Sequence, residues 1–381
     1  MQIITGQSAR KENFWQREKE IKEILHKINS HQHILLVAPR RVGKTSIMHY
    51  LLDNPEDKVV LYIDTESANS ENEFWKKLFN KLMNEEFINT LQNRVKNLGN
   101  KLKALKISEI TTKGIKFGES EEIEYIEAFK EIIKNLDIDK NLVIMIDEFA
   151  QTIENIIKYE SAQSAKSLLT HHRELRQDRN LSEKITFIYA GSIGLESVAS
   201  KLDSISAIND LTVIKVPPLT QDDAQNFVET LAKTNNINIE KEATIYMLEK
   251  IEWLIPFYIQ LIMDELRKLD VLITNEIIDS TFKSLLENRN HFEHWHTRLK
   301  SLDDNEYMFA KEILNFVSEN DIITSSEILN IGTKYTLLED TAKEVRNSLV
   351  YDGYINNNDN IKEFRFNSPI LKMWWYKNVA N

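Results

Sequence analysis

The segment Ile34–Ser46 carries the residues best suited to chemistry, and it reads ILLVAPRRVGKTS. A hydrophobic run leads into a loop that ends Gly43-Lys44-Thr45, and an amphipathic helical pattern follows at once. In such a context, backbone amides of the loop and the helix N-terminus point at a bound phosphate. Lys44 is expected to reach the β- and γ-phosphates of ATP, and Thr45 is expected to ligate Mg²⁺. The segment therefore predicts a Walker A motif.

The Walker A prediction assigns nucleotide binding, of ATP or ADP, to nine consecutive residues. They are Ala38, Pro39, Arg40, Arg41, Val42, Gly43, Lys44, Thr45 and Ser46. Ala38 stands where the usual pattern has its first glycine. Because Pro39 already restricts the residue before it to extended conformations, the freedom of glycine is not used at that position. The departure is therefore compatible with the motif.

A second apolar run, Leu142–Ile146, is followed directly by two acids, Asp147 and Glu148. If the run is a parallel strand, the acids lie at its carboxyl end, where ligands bind in open α/β sheets. Asp147 is expected to hold Mg²⁺ through water, and Glu148 to polarise the attacking water as a general base. Because the pair follows a Walker A pattern in the chain, we interpret it as a Walker B motif.

Two further sets of residues have both a functional and a structural interpretation. Ser192 follows the run Ile185–Ala190 and fits a catalytic sensor that hydrogen-bonds the γ-phosphate or the water; the alternative is an ordinary strand-ending turn. Arg173, Arg176 and Arg179 lie on a predicted helix after the Walker B strand. One of them, with Arg176 preferred, is a candidate to reach a neighbouring subunit's γ-phosphate; the alternative is a solvated helix face.

Short apolar runs rich in β-branched residues supply the elements that would position these side chains. Five have strand length: Ile34–Ala38, Val59–Ile63, Leu142–Ile146, Ile185–Ala190 and Thr212–Val216. Helical patterns lie between them, for example at Thr45–Asp53, Glu71–Glu86 and Glu121–Leu136. Alternating strands and helices predict an α/β fold with a doubly wound parallel sheet.

The same patterns predict three domains. Residues 1–216 form a three-layer P-loop domain with a helical insertion near 70–115, because the gap between the second and third strands exceeds one crossover helix. After Pro217-Pro218, helical patterns with almost no strand signal predict an all-helical lid domain over 217–299. In 300–381 the order of three helices and a hairpin predicts a winged-helix domain.

Composition limits the class of protein. The 381 residues carry a net charge of −11 and include no cysteine. With no apolar stretch long enough to span a membrane, we expect a cytoplasmic protein without a membrane partner. Residues 301–381 hold eight basic and thirteen acidic residues, a net charge of −5, and the candidate recognition helix begins Glu339-Asp340. Since phosphate contacts supply most non-specific DNA affinity, nucleic acid is possible but disfavoured as a partner.

Several segments together resemble the archaeal-type ATPase family, within the STAND branch of the AAA+-like NTPases. Phe14–Glu20 resembles the family's Phe-x-Gly-Arg-Glu-x-Glu start, with Gln16 in place of the glycine. Pro39–Ser46 resembles its proline–arginine form of Walker A, and Gly191-Ser192 its sensor strand. Trp253–Tyr258 resembles the Gly-x-Pro start of a helix in its helical domain. Here Leu254 replaces that glycine.

The resemblance implies a function as well as a fold. The N-terminal motif would sit beside the nucleotide base, and Pro256 would approach the nucleotide from the helical domain. The ending Phe364–Pro369 with Trp374-Trp375 resembles the winged-helix terminus of the family. We expect a Mg²⁺-dependent, slowly hydrolysing ATPase that acts as a nucleotide-controlled switch, with a homo-oligomer or protein partner.

Two alternatives to the switch remain at this point. One is a DNA-handling ATPase of the replication-initiator or transposition-helper kind, which shares this order of domains. The other is a nucleotide-binding scaffold that hardly hydrolyses. Salt-dependent DNA binding would favour the first, and ATP binding without turnover in every oligomeric state would favour the second.

Overall fold

The fold is that of a computed structural model. The structure describes residues 1–15, 17–84, 107–110, 114–117, 123–135, 142–191, 194–287, 292–300, 302–357, 360 and 362–380. Its strands are β1 (Ile34–Val37), β2 (Val59–Asp64), β3 (Ile107–Ile110), β4 (Gly114–Phe117), β5 (Ile123–Glu124), β6 (Leu142–Asp147), β7 (Ile185–Ala190), β8 (Thr212–Lys215), β9 (Ile323–Thr324), β10 (Ile355–Asn356) and β11 (Glu363–Phe366).

The helices alternate with these strands in the first half of the chain and dominate the second half. They are α1 (Glu18–Asn29), α2 (Lys44–Asp53), α3 (Glu71–Leu82), α4 (Tyr125–Asn135), α5 (Phe149–Tyr159), α6 (Ala162–Gln177), α7 (Arg179–Ser182), α8 (Leu195–Lys201), α9 (Gln221–Thr234), α10 (Lys241–Ile251), α11 (Pro256–Leu266), α12 (Asn275–Glu287), α13 (Glu293–Leu299), α14 (Asp304–Asn320), α15 (Ser325–Lys334), α16 (Glu339–Tyr351) and α17 (Pro369–Trp375). Over these described ranges, no helix is both long and apolar enough to cross a membrane.

The main sheet has five strands in the order β2-β6-β7-β1-β8, and all neighbours are parallel. Every residue of β6 and β7 is buried. Such continuous burial explains why these strands read as unbroken apolar runs. The five predicted strands and their parallel arrangement are confirmed, and β7 lies between β1 and β6. The sequence of elements thus brings the carboxyl ends of β1, β6 and β7 to one edge.

One hydrophobic core joins this sheet to helices α3, α4, α5 and α6. Large side chains from the helices, such as Phe74, Phe129 and Phe149, are at most 2% exposed there. Removing so much apolar surface from water is the main force that holds the sheet and these helices together. Beyond α3, the predicted helical insertion near 70–115 mostly lies outside the described residues. Its end contributes β3 to a small antiparallel sheet, which continues into β4 and β5 in the order β3-β4-β5.

The chain divides into two compact units. One contains Gln16–Ala38 and Lys44–Val216 and therefore holds the main sheet. The other contains Met1–Trp15, Pro39–Gly43 and Pro217–Asn381. The predicted three-domain division stays a prediction. An unexpected feature is that five residues of the Walker A loop group with the C-terminal part of the chain.

Within the C-terminal unit, helices α9 to α13 come first, and three helices with a three-stranded sheet follow. This sheet has the order β10-β11-β9 and is antiparallel. The predicted order of three helices and a hairpin is therefore present, since β10 and β11 follow α14, α15 and α16. Trp374 and Trp375 of α17 are fully buried, as expected of residues that anchor the last helix.

Candidate functional site

The Walker A loop connects β1 to α2, and its backbone has two residues in unusual conformations. Gly43 has a φ of 113°, where residues with a side chain are strained, so glycine is needed at this position. Arg41 has a φ of 69°. A left-handed conformation costs a non-glycine residue roughly 1–2 kcal/mol, and such residues are concentrated at ligand-binding sites. Two residues of the loop thus have the kind of backbone that is concentrated at ligand-binding sites.

Lys44 is the first residue of α2, and its side chain turns back over the loop. The residue is 7% exposed, and its Nζ donates a hydrogen bond to the carbonyl oxygen of Ala38 at 2.5 Å. The ammonium thus lies inside the loop whose phosphate it is predicted to bind. A charge so removed from water is costly unless hydrogen bonds or an opposite charge compensate it.

Thr45 and Asp147 meet although they lie far apart in sequence. The Thr45 hydroxyl donates to Oδ2 of Asp147 at 2.7 Å, and Asp147 is 3% exposed. Burial, reinforced by the nearby Glu148, raises the pKa of the Asp147 carboxyl above its ordinary value. The Thr45 hydroxyl and the Lys44 ammonium act in the opposite direction and lower that pKa. Both predicted magnesium ligands therefore share one corner of the sheet edge.

Tyr62 is a member of this group that the sequence analysis missed. In the parallel pairing of β2 with β6, Asp64 lies opposite Asp147 and Tyr62 opposite Met145. From that position the Tyr62 hydroxyl donates to Oδ2 of Asp147 at 3.1 Å. The available signal was a lone hydroxyl within the aliphatic run of β2, but its partner depends on strand pairing that the sequence does not state.

Glu148 occupies the turn between β6 and α5. It is half-buried, its φ of 55° is left-handed, and its backbone N–H donates to Oδ1 of Asp147 at 3.1 Å. Behind this turn, the Thr65 hydroxyl donates to the Asp147 carbonyl at 3.0 Å, and the Thr152 hydroxyl donates to the Thr65 carbonyl at 2.7 Å. These hydrogen bonds of Thr65 and Thr152 hold in place the backbone segment that carries Asp147 and Glu148.

Two further predicted residues are Ser192 and Pro256. Ser192 lies outside the described residues. Pro256 is the first residue of α11, where a missing backbone N–H costs no helical hydrogen bond. Pro256 belongs to the C-terminal unit, like the loop residues Pro39–Gly43.

Arg176, the preferred candidate for reaching another subunit, has an internal role instead. Its side chain is 1% exposed, and its guanidinium binds both oxygens of Asp210 at 2.8 Å. A third hydrogen bond runs from Nη1 to the Tyr189 hydroxyl at 3.1 Å. The preference for Arg176 is therefore wrong, because the guanidinium is already paired within its own chain. Arg179 is exposed at the start of α7, whereas Arg173 donates to the carbonyl oxygen of Ser206.

Within the C-terminal unit, the loop residues contact aromatic side chains. The guanidinium carbon of Arg41 lies 4.8 Å from the ring centre of Phe257, which follows Pro256 in α11. The Arg41 Nε is buried and has no hydrogen-bond partner in the described part of the chain, and burial lowers the pKa of Arg41. A side chain at Gly353, whose φ is 87°, would come within 3.0 Å of Pro39. The loop is thus closely packed by this unit.

The donor set at Thr45 and Asp147 fits a magnesium ion. Both offer oxygen, the ligand type that Mg²⁺ prefers, and this ion uses only one or two carboxylates together with phosphate and water. Across the described ranges there is no group of three or more acidic, histidine or cysteine side chains suited to a metal ion. With one carboxylate and one hydroxyl, the donor set suits a cation that binds together with phosphate.

A phosphate loop after β1, an acidic pair at the carboxyl end of β6 and a parallel strand between β1 and β6 define the P-loop NTPase class of protein. The model of one family, described as an ATPase domain predominantly from Archaea, matches residues 14–251. The chain belongs to this family. No curated protein is similar enough in sequence to count as a relative.

Two solved structures have a similar fold along nearly the whole chain. The Walker-type ATPase PABY2304 of Pyrococcus abyssi is 17% identical with a TM-score of 0.68, and the match covers 98% of this chain and 99% of that one. The ORC2 protein of Aeropyrum pernix, solved as ADPNP–ADP complexes, is 12% identical with a TM-score of 0.53, and the match covers 96% and 95%. At these identities the likeness shows the fold alone.

Proposed function

We propose that this protein binds Mg²⁺ with ATP, hydrolyses the ATP slowly, and acts as a nucleotide-controlled switch for self-assembly or partner binding. The observation that carries the proposal is the convergence of three side chains at one edge of the sheet. Lys44 bonds to its own loop, and the Thr45 hydroxyl lies 2.7 Å from Asp147. This is the set of groups that phosphate and its magnesium ion require.

Binding is assigned to the loop from Ala38 to Ser46. On arrival of a phosphate, Lys44 exchanges its hydrogen bond to the Ala38 carbonyl for one to a phosphate oxygen. Thr45 and Asp147 hold the cation. When bound, Mg²⁺ neutralises charge on the β- and γ-phosphate oxygens. The Phe14–Glu20 segment and Pro256 are proposed to bind the remainder of the nucleotide, as the family resemblance implies.

Hydrolysis is assigned to Glu148, which polarises the water as general base, with Ser192 as the sensor. The left-handed backbone of Glu148 presents its carboxylate from the turn before α5. Turnover is proposed to be slow in a single chain because the Arg176 guanidinium is already paired with Asp210 and does not reach the transferring phosphate. The cation that stabilises the transferring phosphate would then come from a neighbouring copy, with Arg179 as the exposed candidate.

The switch is proposed to act through the loop Pro39–Gly43. Arg41 lies over Phe257, so a change of the loop around a phosphate alters a contact of α11. A ligand shifts a conformational equilibrium only by its difference in affinity for the two states. ATP, which engages the loop through an additional phosphate, is proposed to favour one arrangement of the C-terminal unit more strongly than ADP.

The predicted lid over 217–299 and winged helix over 300–381 are proposed to report this change to a protein partner or a second copy. The net charge of −5 over 301–381 and the acidic start of α16 oppose a DNA-binding role for the winged helix. The full-length protein should therefore bind duplex DNA no better than a neutral control protein at physiological salt. Tight binding with a steep salt dependence would instead support the DNA-handling alternative.

The catalytic assignment is tested with Glu148→Gln, which removes the base and keeps the shape of the side chain. Phosphate release should fall by about 10²–10⁴-fold, the usual contribution of general base catalysis. Calorimetry should still show ATP binding with Mg²⁺. Turnover at the parental rate in this variant would mean that another residue activates the water. Binding without turnover in the parent, at every protein concentration, would support the scaffold alternative.

A further inference from the structure

Within the part of the chain that the structure describes, the Asp147 carboxylate accepts three hydrogen bonds, all from neutral groups. Oδ2 accepts from the Thr45 hydroxyl at 2.7 Å and from the Tyr62 hydroxyl at 3.1 Å. Oδ1 accepts from the backbone N–H of Glu148 at 3.1 Å. Three donors on three different elements thus fix the plane of one buried carboxylate.

These donors will respond differently to a cation. The Thr45 hydroxyl has two lone pairs and is itself a predicted ligand, so its oxygen must turn toward the metal. The backbone N–H of Glu148 belongs to the residue that is the proposed general base. The Tyr62 hydroxyl has no other partner among the hydrogen bonds of the described chain and comes from a strand of the main sheet. Of these three donors, only the Tyr62 hydroxyl has no other role in the proposed mechanism.

We infer that Tyr62 is a positioning residue for Mg²⁺ binding, whose hydroxyl holds the Asp147 carboxylate in the orientation that the cation requires. The inference rests on the proposed function, since it concerns the same nucleotide site. Partners of this kind, one step removed from the metal, orient the ligands and tune their basicity. Their loss typically lowers metal affinity or activity about 10–100-fold.

The ring and the hydroxyl of Tyr62 have separable roles. The ring meets His49 of α2 edge-on, with centroids 4.7 Å apart, so it packs against the helix that begins with Lys44. A phenylalanine would retain that contact. The hydroxyl donates to Oδ2 of Asp147 at 3.1 Å, and the proposed role of Tyr62 is therefore to orient Asp147.

The test is Tyr62→Phe in the full-length protein, with calorimetry of ATP binding over a series of Mg²⁺ concentrations and in EDTA. We expect the Mg²⁺ concentration for half-maximal enhancement of binding to rise about 10–100-fold. Metal-free ATP affinity should stay within about twofold of the parent, because the loop and Lys44 are untouched. If Tyr62 has only a structural role, the substitution changes neither the Mg²⁺ dependence nor the metal-free ATP affinity, or it changes both together. The two titrations therefore separate a structural role from a positioning role.

Tyr189→Phe is the matched control. It removes a hydroxyl from another strand of the same sheet, where the partners are His172 and Arg176. This variant should lose stability and keep the parental Mg²⁺ dependence. As a second measurement, Tyr62→Phe in an Asp147→Asn background should cause no further change in Mg²⁺ dependence, because the oriented group is already gone.

Two results would overturn the inference. A Mg²⁺ dependence in Tyr62→Phe equal to that of the parent would show that the hydroxyl does not orient the ligand. A parallel fall of metal-free and Mg²⁺-dependent ATP affinity would show a general structural role. If the parent itself binds ATP without any Mg²⁺ dependence, the proposed function fails and the inference fails with it.

Discussion

Two polar clusters in the sheet-containing unit differ in the groups that pair with their carboxylate. The arginine cluster consists of His172, Arg176, Tyr189 and Asp210, and the site cluster consists of Lys44, Thr45, Tyr62 and Asp147. In the arginine cluster a guanidinium meets a carboxylate through two hydrogen bonds of 2.8 Å, and this pairing lowers the pKa of Asp210 against the effect of burial. In the site cluster the carboxylate is bonded to neutral groups, and the pKa of Asp147 is raised.

The difference separates a structural charge from one suited to a ligand. A charge that is paired within the chain has a structural role, because removal of one partner leaves the other without compensation. A buried carboxylate supported by hydroxyls and an amide retains an unfavourable charge that an incoming cation would relieve. Perturbed carboxyl groups are concentrated at functional sites for this reason. The comparison therefore makes opposite predictions for substitutions in the two clusters.

Arg176→Ala should have the largest effect on stability. It removes a buried guanidinium that donates hydrogen bonds to Asp210, the Tyr189 hydroxyl and the Ala207 carbonyl, and such losses cost about 1–3 kcal/mol of the free energy of unfolding. Denaturant unfolding followed by circular dichroism measures this change. Arg173→Ala is a control on the same helix and should cost less than about 1 kcal/mol. A loss below about 1 kcal/mol for Arg176→Ala would mean that the ion pair is not structural.

Lys44→Ala should have the reverse effects, which are a large loss of ATP affinity and a small change in stability. ATP affinity should fall by at least about 100-fold, since a compensating charge inside the loop is lost, at a cost of roughly 3 kcal/mol. The free energy of unfolding without nucleotide should change by less than about 1 kcal/mol. Calorimetry measures the affinity, and Lys22→Ala, at a lysine that is 79% exposed, is the control. An unchanged dissociation constant would contradict the Walker A assignment.

The sequence predicts the site cluster better than the arginine cluster, for a physical reason. Lys44 and Thr45 are fixed by local geometry, because a strand, a tight loop and a helix are adjacent in the chain. Strands β1, β6 and β7 are also readable, since nearly all of their residues are buried on both faces. Tyr62 and Asp210 act through contacts between distant segments, and a residue pattern does not state the register or the packing that creates them.

Arg176 shows most clearly what a sequence pattern does not predict. The helix pattern places it after the Walker B strand, and an exposed face was a reasonable alternative to a role in another subunit. Both interpretations are wrong because Asp210, from a loop before β8, pairs with the guanidinium, and the Arg176 side chain is only 1% exposed. A charged residue in a helix can be buried if one long-range partner compensates it. That partner is visible only in the folded chain.

Acid should weaken the region of the arginine cluster specifically. His33 lies against this cluster, with Nε2 3.4 Å from the Arg176 carbonyl, and burial and Arg176 lower the pKa of His33 to about 4. Because the folded-state value lies below the ordinary 6.5, the unfolded chain takes up the proton first. Stability from this group is present above pH 6.5 and is lost as the pH falls toward about 4, by at most roughly 3 kcal/mol.

The measurement is the free energy of unfolding between pH 7.5 and 4.5, in the parent and in His33→Asn. The variant should show a flatter pH dependence over that range, although it is less stable at pH 7.5. His31→Asn, at an exposed histidine, is the control and should follow the parent. Parallel curves for the parent and His33→Asn would show that other groups cause the acid sensitivity.

The smallest effect is expected where a guanidinium has an aromatic partner in place of a carboxylate. Phe257→Leu keeps apolar volume and removes the ring under Arg41, a contact worth about 0.5–2 kcal/mol. ATP affinity should change by less than about tenfold, but the response of the C-terminal unit to ATP should be smaller. Limited proteolysis with and without an ATP analogue measures that response. If Phe257→Leu responds to the ATP analogue as the parent does, Arg41 and Phe257 do not take part in the coupling. Pro256→Gly makes the same test for the neighbouring residue.

The switch itself is tested most directly by native mass spectrometry and small-angle scattering of the apo, ADP and ATP-analogue forms, each with Mg²⁺ and at matched protein concentration. The account predicts that the ATP-analogue form differs from the other two in mass, in scattering profile or in both. Lys44→Ala should give the apo result under all three conditions, because the loop no longer binds the nucleotide. Identical masses and profiles for the parent in all three forms would contradict a nucleotide-controlled switch.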